Sequence, residues 1–92
     1  MKVVVKSFAG LKDILGPEAL VDLEEKATIR DLLGTLCASH PSLSEFVFDS
    51  EGNLSADVTI LKNRTGLDPK EGMEALLKEG DEVAFLPPFS GG

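Results

Sequence analysis

Ninety-two residues of 9.8 kDa make one small domain and exclude two. Nine basic against sixteen acidic side chains leave a net charge of −7, and the basic residues are scattered with no run among them, which excludes a binder of nucleic-acid backbones. Leu, Ile, Val and Phe make 29 of the 92 residues, enough to fold, but a chain this short hides only about 60–65% of its unfolded surface, so function belongs on a surface or at a terminus rather than in a deep cleft.

Val3, Val4 and Val5 are β-branched and predict a first strand over 2–8 with both faces covered. Leu11, Ile14 and Leu15 recur at i, i+3 and i+4 before Gly16-Pro17, which predicts one or two helical turns with a glycine stop. A second strand follows over 19–23, paired antiparallel with the first because the connection is too short for a crossover. Thr28-Ile29-Arg30-Asp31 reads as a capping box opening the main helix. Ile29, Leu32, Leu33, Leu36 and Cys37 then form one apolar stripe, and Pro41 stops the helix near Ser39. Gly34 lies off that stripe. Residues 42–55 predict a short helical turn and a loop, 57–62 a third strand and 63–66 a turn. Asp68-Pro69-Lys70-Glu71 supplies a cap, a first-turn proline and an acid three residues on, with Met73, Leu76 and Leu77 at helical spacing and Gly80 as a stop, which predicts a short helix. The last strand covers 82–86, with Phe85 and Val83 alternating into the core, and Pro87-Pro88 ends it.

Self-contained catalysis has little to work with. The lone Cys37 excludes an internal disulfide and a four-cysteine metal site; on the apolar stripe it reads as a buried, inert thiol. His40 is the only histidine and reads as a helix-end residue near free carbonyls, without a catalytic role. Phosphate-binding glycine motifs are absent, no metal site is expected, and no cofactor should be bound by this chain. The absence of a long apolar run predicts a cytoplasmic protein that does not associate with membranes.

Chemistry is concentrated at the C-terminus. Residues 83–92 carry no charge in a chain that is 27% charged, so an acidic body steered toward basic partner surfaces would end in an uncharged tail. Five extended residues, 88–92, reach about 16 Å, enough to enter another protein's active site. Gly91 and Gly92 lack Cβ atoms and leave the terminal carbonyl unshielded. An ionised carboxylate is a poor electrophile, so activation must come from outside, for example as an adenylate. Phe89 beyond the end of the fold reads as a docking anchor.

The stretch Leu77-Lys78-Glu79-Gly80-Asp81-Glu82-Val83-Ala84-Phe85-Leu86-Pro87-Pro88-Phe89-Ser90-Gly91-Gly92 resembles the C-terminal signature of molybdopterin synthase small subunits, within the ubiquitin-like β-grasp sulfur carriers. Leu11-Lys12-Asp13-Ile14-Leu15-Gly16 and the Thr28 helix opening agree with that resemblance, which spans nearly the whole chain. Lys62-Asn63-Arg64 departs from the Asn-Gly that such carriers usually carry there, and 66–78 is longer and more helical than usual. The resemblance implies an α+β, β-grasp fold: a mixed sheet of four to five strands packed on one main helix, over residues 1–86, with a flexible Gly-Gly tail over 87–92. It implies a carrier subunit that is not itself catalytic. A ubiquitin-activating-type enzyme, using ATP and magnesium, would adenylate the Gly92 carboxylate. A persulfide sulfur donor would convert it to a thiocarboxylate. Gly91, Ser90, Phe89, Pro88 and Pro87 would guide the tail into the large synthase subunit, where two such sulfurs build the dithiolene of molybdopterin. Rival readings keep the same activated tail but send it to lysines, as a ubiquitin-like modifier, or into thiamine or tRNA thiolation; a further rival is a β-grasp interaction domain without covalent chemistry.

Overall fold

Strand β5, Glu82–Leu86, is the axis of the fold. Strand β1, Lys2–Ser7, runs parallel to it on one side, and β3, Thr59–Lys62, runs antiparallel on the other. Strands β2, Glu18–Asp22, and β4, Thr65–Gly66, complete a mixed five-stranded sheet in the order β2-β1-β5-β3-β4. This is the β-grasp architecture expected. The computed structural model describes residues 1–7, 15–51, 55, 58–68 and 71–86. Residues 87–92, the third-strand start at 57 and the helical turn expected over 11–15, apart from the buried Leu15, lie outside the described residues.

One helix covers one face. Helix α1, Ile29–Ser39, opens on Thr28, whose hydroxyl accepts the Asp31 N–H at 3.2 Å while the Asp31 carboxylate accepts the Thr28 N–H at 2.9 Å, completing the capping box. Ile29, Leu32, Leu33 and Leu36 pack with Val3, Val5, Val83 and Phe85 in a single core. Burying each such side chain stabilises the fold by about 1.5–3 kcal/mol. At the other end, the His40 N–H donates to the Leu36 carbonyl at 2.8 Å, and a short helix α2, Leu43–Val47, follows Pro41.

Two expectations need correction. Val3 and Val5 are buried but Val4 is only half-buried, because α1 covers one face of the sheet and Val4 points to the other. The short helix expected after Asp68 is a single 3-10 turn, Glu71–Glu74. Its cap is as predicted, Asp68 accepting the Glu71 N–H at 3.0 Å. Backbone pairing then displaces the helix: the Ala75 carbonyl accepts from Ile29, Leu76 bridges Thr28, and the Leu77 N–H donates to Ala27 at 2.8 Å. Met73 and Leu77 are buried as the spacing suggests, whereas Leu76 is 55% exposed. Gly72 is required by close approach, since a Cβ there would lie 2.7 Å from the Leu67 Cβ.

Candidate functional site

The described part of the site is the strand that launches the tail and the open face around it. Val83 and Phe85, at 0% and 1% exposure, anchor β5 in the core. The alternate positions Glu82, Ala84 and Leu86 therefore face the uncovered side of the sheet. In register, Val4 stands beside Glu82, Lys6 and Leu61 flank Ala84, and Thr59 is opposite Leu86. Leu20, opposite Val4 on the edge strand, is 68% exposed. The result is an apolar strip of Val4, Leu20, Leu61 and Leu86 around the buried Ala84, crossed by a charged row. Pro87, Pro88, Phe89, Ser90, Gly91 and Gly92, the residues the sequence singles out, lie outside the described residues.

The charged row is built on a hairpin. Strands β3 and β4 are joined by two residues, Asn63 and Arg64, with φ of 50° and 71°. Two positive φ values mark a type I′ turn, which suits Asn-Gly best; the left-handed region costs a non-glycine residue such as Arg roughly 1–2 kcal/mol. The turn is tied down by Asn63: its N–H donates to the Glu82 carbonyl at 2.7 Å, its Oδ1 accepts the Glu82 N–H at 2.9 Å, and its Nδ2 donates to Asp81 at 3.0 Å.

Two carboxylates are held ionised at the start of β5. Lys6 donates to Glu82 Oε1 at 2.9 Å, and Arg64 Nε stands 3.8 Å from Oε2. The Lys6 hydrogen bond, helped by the charges of Lys6 and Arg64, lowers the Glu82 pKa against a smaller opposing effect of burial. At Asp81 burial pushes the pKa up, but the Asn63 amide, the Lys78 N–H and the charges of Lys62 and Lys78 together hold it below its ordinary value. The turn expected over 63–66 is only Asn63-Arg64, because Thr65 and Gly66 pair with β3 as β4; the hub itself is not foreseen, and the usable signal is Asn63 in a two-residue gap between strands, facing an acidic pair at the next strand's start.

Among the described residues, no other group of side chains forms a reaction centre. Cys37 is half-buried and burial raises its thiol pKa, so it is protonated and unreactive near neutral pH. Among the described residues no three His, Cys, Asp or Glu come together to hold a metal, and none of the helices is long and apolar enough to cross a membrane. An open groove of about 580 Å³ lies between the 23–27 loop and the outer side of α1, with no residue of β5 in its lining.

Comparisons with known proteins give the fold a chemical context. The profile of the ThiS family matches residues 5–92. The chain is 36% identical over 88 residues to small archaeal modifier protein 1 of Haloferax volcanii, covering 95% of this chain and 97% of that protein. It is 31% identical to the molybdopterin synthase sulfur carrier subunit of Chlamydomonas reinhardtii, with both chains covered completely. The crystal structure of SAMP1 from H. volcanii superposes with a TM-score of 0.87 over the whole of both chains, at 32% identity.

Proposed function

Because the chain belongs to the ThiS family of ubiquitin-like sulfur carriers, we propose that it carries sulfur as a thiocarboxylate on Gly92 and serves as the small subunit of a molybdopterin synthase in the cytoplasm. The observation that carries this reading is a match extending through residue 92, together with a full-length relative named as a molybdopterin synthase sulfur carrier subunit. An adenylating enzyme joins the Gly92 carboxylate to AMP from magnesium-bound ATP and releases pyrophosphate. A persulfide sulfur attacks the acyl carbon, AMP leaves, and a thiol reductant cleaves the resulting S–S bond. The large synthase subunit then takes the tail, and Gly91, Ser90, Phe89, Pro88 and Pro87 set its path. Intact-mass analysis after incubation with an activating enzyme, ATP and a sulfur donor tests the first half: a gain of about 16 Da, oxygen exchanged for sulfur, is expected. An unchanged mass, under conditions that charge an established carrier, overturns it. Reconstitution with a large subunit and the cyclic pyranopterin precursor tests the molybdopterin assignment.

A second reading is favoured by the 36% identity to a protein named as a modifier: the same activated Gly92 acylates lysine ε-amines. Lys78 is the last tryptic site in the sequence, so residues 79–92 would remain on a substrate lysine after digestion. Recovering that branched peptide from cells supports conjugation, alone or beside sulfur transfer. Delivery to thiamine or tRNA thiolation uses the same charged tail and differs only in the acceptor.

A further inference from the structure

Arg64 occupies a position that the turn would give to glycine, at φ 71°, and its side chain is 86% exposed. Asn63 holds the turn backbone in place through three hydrogen bonds to Asp81 and Glu82, while the Arg64 side chain stays free to turn. The strained side chain adds only a loose contact to the fold. Its guanidinium stands 3.8 Å from Glu82 Oε2, beyond hydrogen-bond length, while Lys6 takes the other oxygen at 2.9 Å. Two cations therefore share one carboxylate, on the open face of a chain whose net charge is −7. Strain kept at an 86% exposed charged residue for so loose an ion pair points to function.

We infer that Arg64 is a specificity residue, the cation with which the open face recognises a carboxylate on the enzyme that adenylates the tail. This rests on the carrier reading above. Glu82 and Leu86 both face the open side and are four residues apart, about 13 Å along the strand. A partner that takes the tail beyond Leu86 covers that distance easily, since a standard interface buries about 800 Å² on each side. The activating enzyme is the partner that every fate of the tail shares. A guanidinium with unused donors matches a carboxylate in a bidentate fork, and the pairing would also draw Arg64 away from Glu82 without stranding that carboxylate, which keeps Lys6.

The test is ATP–pyrophosphate exchange by the activating enzyme with the full chain, Arg64→Gly and Arg64→Lys, beside thermal melting of each. The expected result for Arg64→Gly is a Tm raised by roughly 4–8 °C with a KM for the carrier raised about five- to tenfold at low salt and kcat unchanged; Arg64→Lys falls between. The difference should shrink at high ionic strength, where the Debye length falls to about 3 Å at 1 M. A more stable Arg64→Gly with unchanged KM overturns the inference and leaves the carrier reading intact. Equal losses in Arg64→Lys and Arg64→Gly overturn recognition by charge. No exchange with the unmodified chain overturns the carrier reading and this inference with it.

Discussion

The Asn63 side chain donates to Asp81 at 3.0 Å across a gap of eighteen residues in sequence, joining the β3–β4 turn to the residue that precedes the tail strand. The same Asp81 carboxylate accepts the Lys78 N–H at 2.8 Å and lies 4.0 Å from the Lys62 ammonium. One ionised group thus closes both the turn at 78–81 and the hairpin.

A pH dependence follows from its sign. Asp81 has a folded pKa below its ordinary 3.8, so its contribution is present above the unfolded value and is lost as pH falls through the folded one. Urea unfolding between pH 6 and 2.5 should show the parent chain losing stability more steeply below about pH 4 than Asp81→Asn does. Parallel curves would remove Asp81 from the acid response.

Thr28→Ala removes the acceptor for the Asp31 N–H at the start of α1. A loss of about 1 kcal/mol is expected in chemical denaturation, with Asp31→Ala similar in size because it breaks the reciprocal bond to the Thr28 N–H.

Gly34 is the opposite case. It is exposed in the middle of α1, and a Cβ there would meet nothing within 4 Å. Nothing in the structure explains the glycine. Gly34→Ala should stabilise the chain by about 0.5–1 kcal/mol, read as a higher denaturation midpoint at unchanged slope.

Deleting Gly92, or replacing Gly91 with Trp, should abolish charging of the tail while leaving the melting temperature within about 1 °C, because Val83 and Phe85 already hold β5 in the core. A fall of several degrees would mean that the tail is structural. Phe89→Ala should keep the adenylation step's kcat and raise the carrier's KM if Phe89 is the anchor its sequence position suggests.

Much of the fold is legible without coordinates. The capping box at Thr28, the stripe from Ile29 to Leu36, the limits of β5 and the core position of Phe85 all follow from local spacing and caps, and the structure places them accordingly. The uncharged end with its Gly-Gly terminus is equally a sequence feature, and it alone carries the chemistry proposed for Gly92. Such signals survive because they depend on residues within one or two turns of each other.

Tertiary structure decided what local spacing cannot. Pairing of the first and last strands in parallel put β5 at the centre and Val4 on an open face. Backbone bonds to Ala27, Thr28 and Ile29 reduced an expected helix to a 3-10 turn. The positive φ of Arg64 and its approach to Glu82 depend on a register between segments far apart in sequence. Strand pairing is a choice among distant partners, made by the hydrophobic face each strand can bury and the turns that join them. Sequence alone therefore determined which group the proposed chemistry uses, and the folded sheet determined which side chains surround the strand that leads to it.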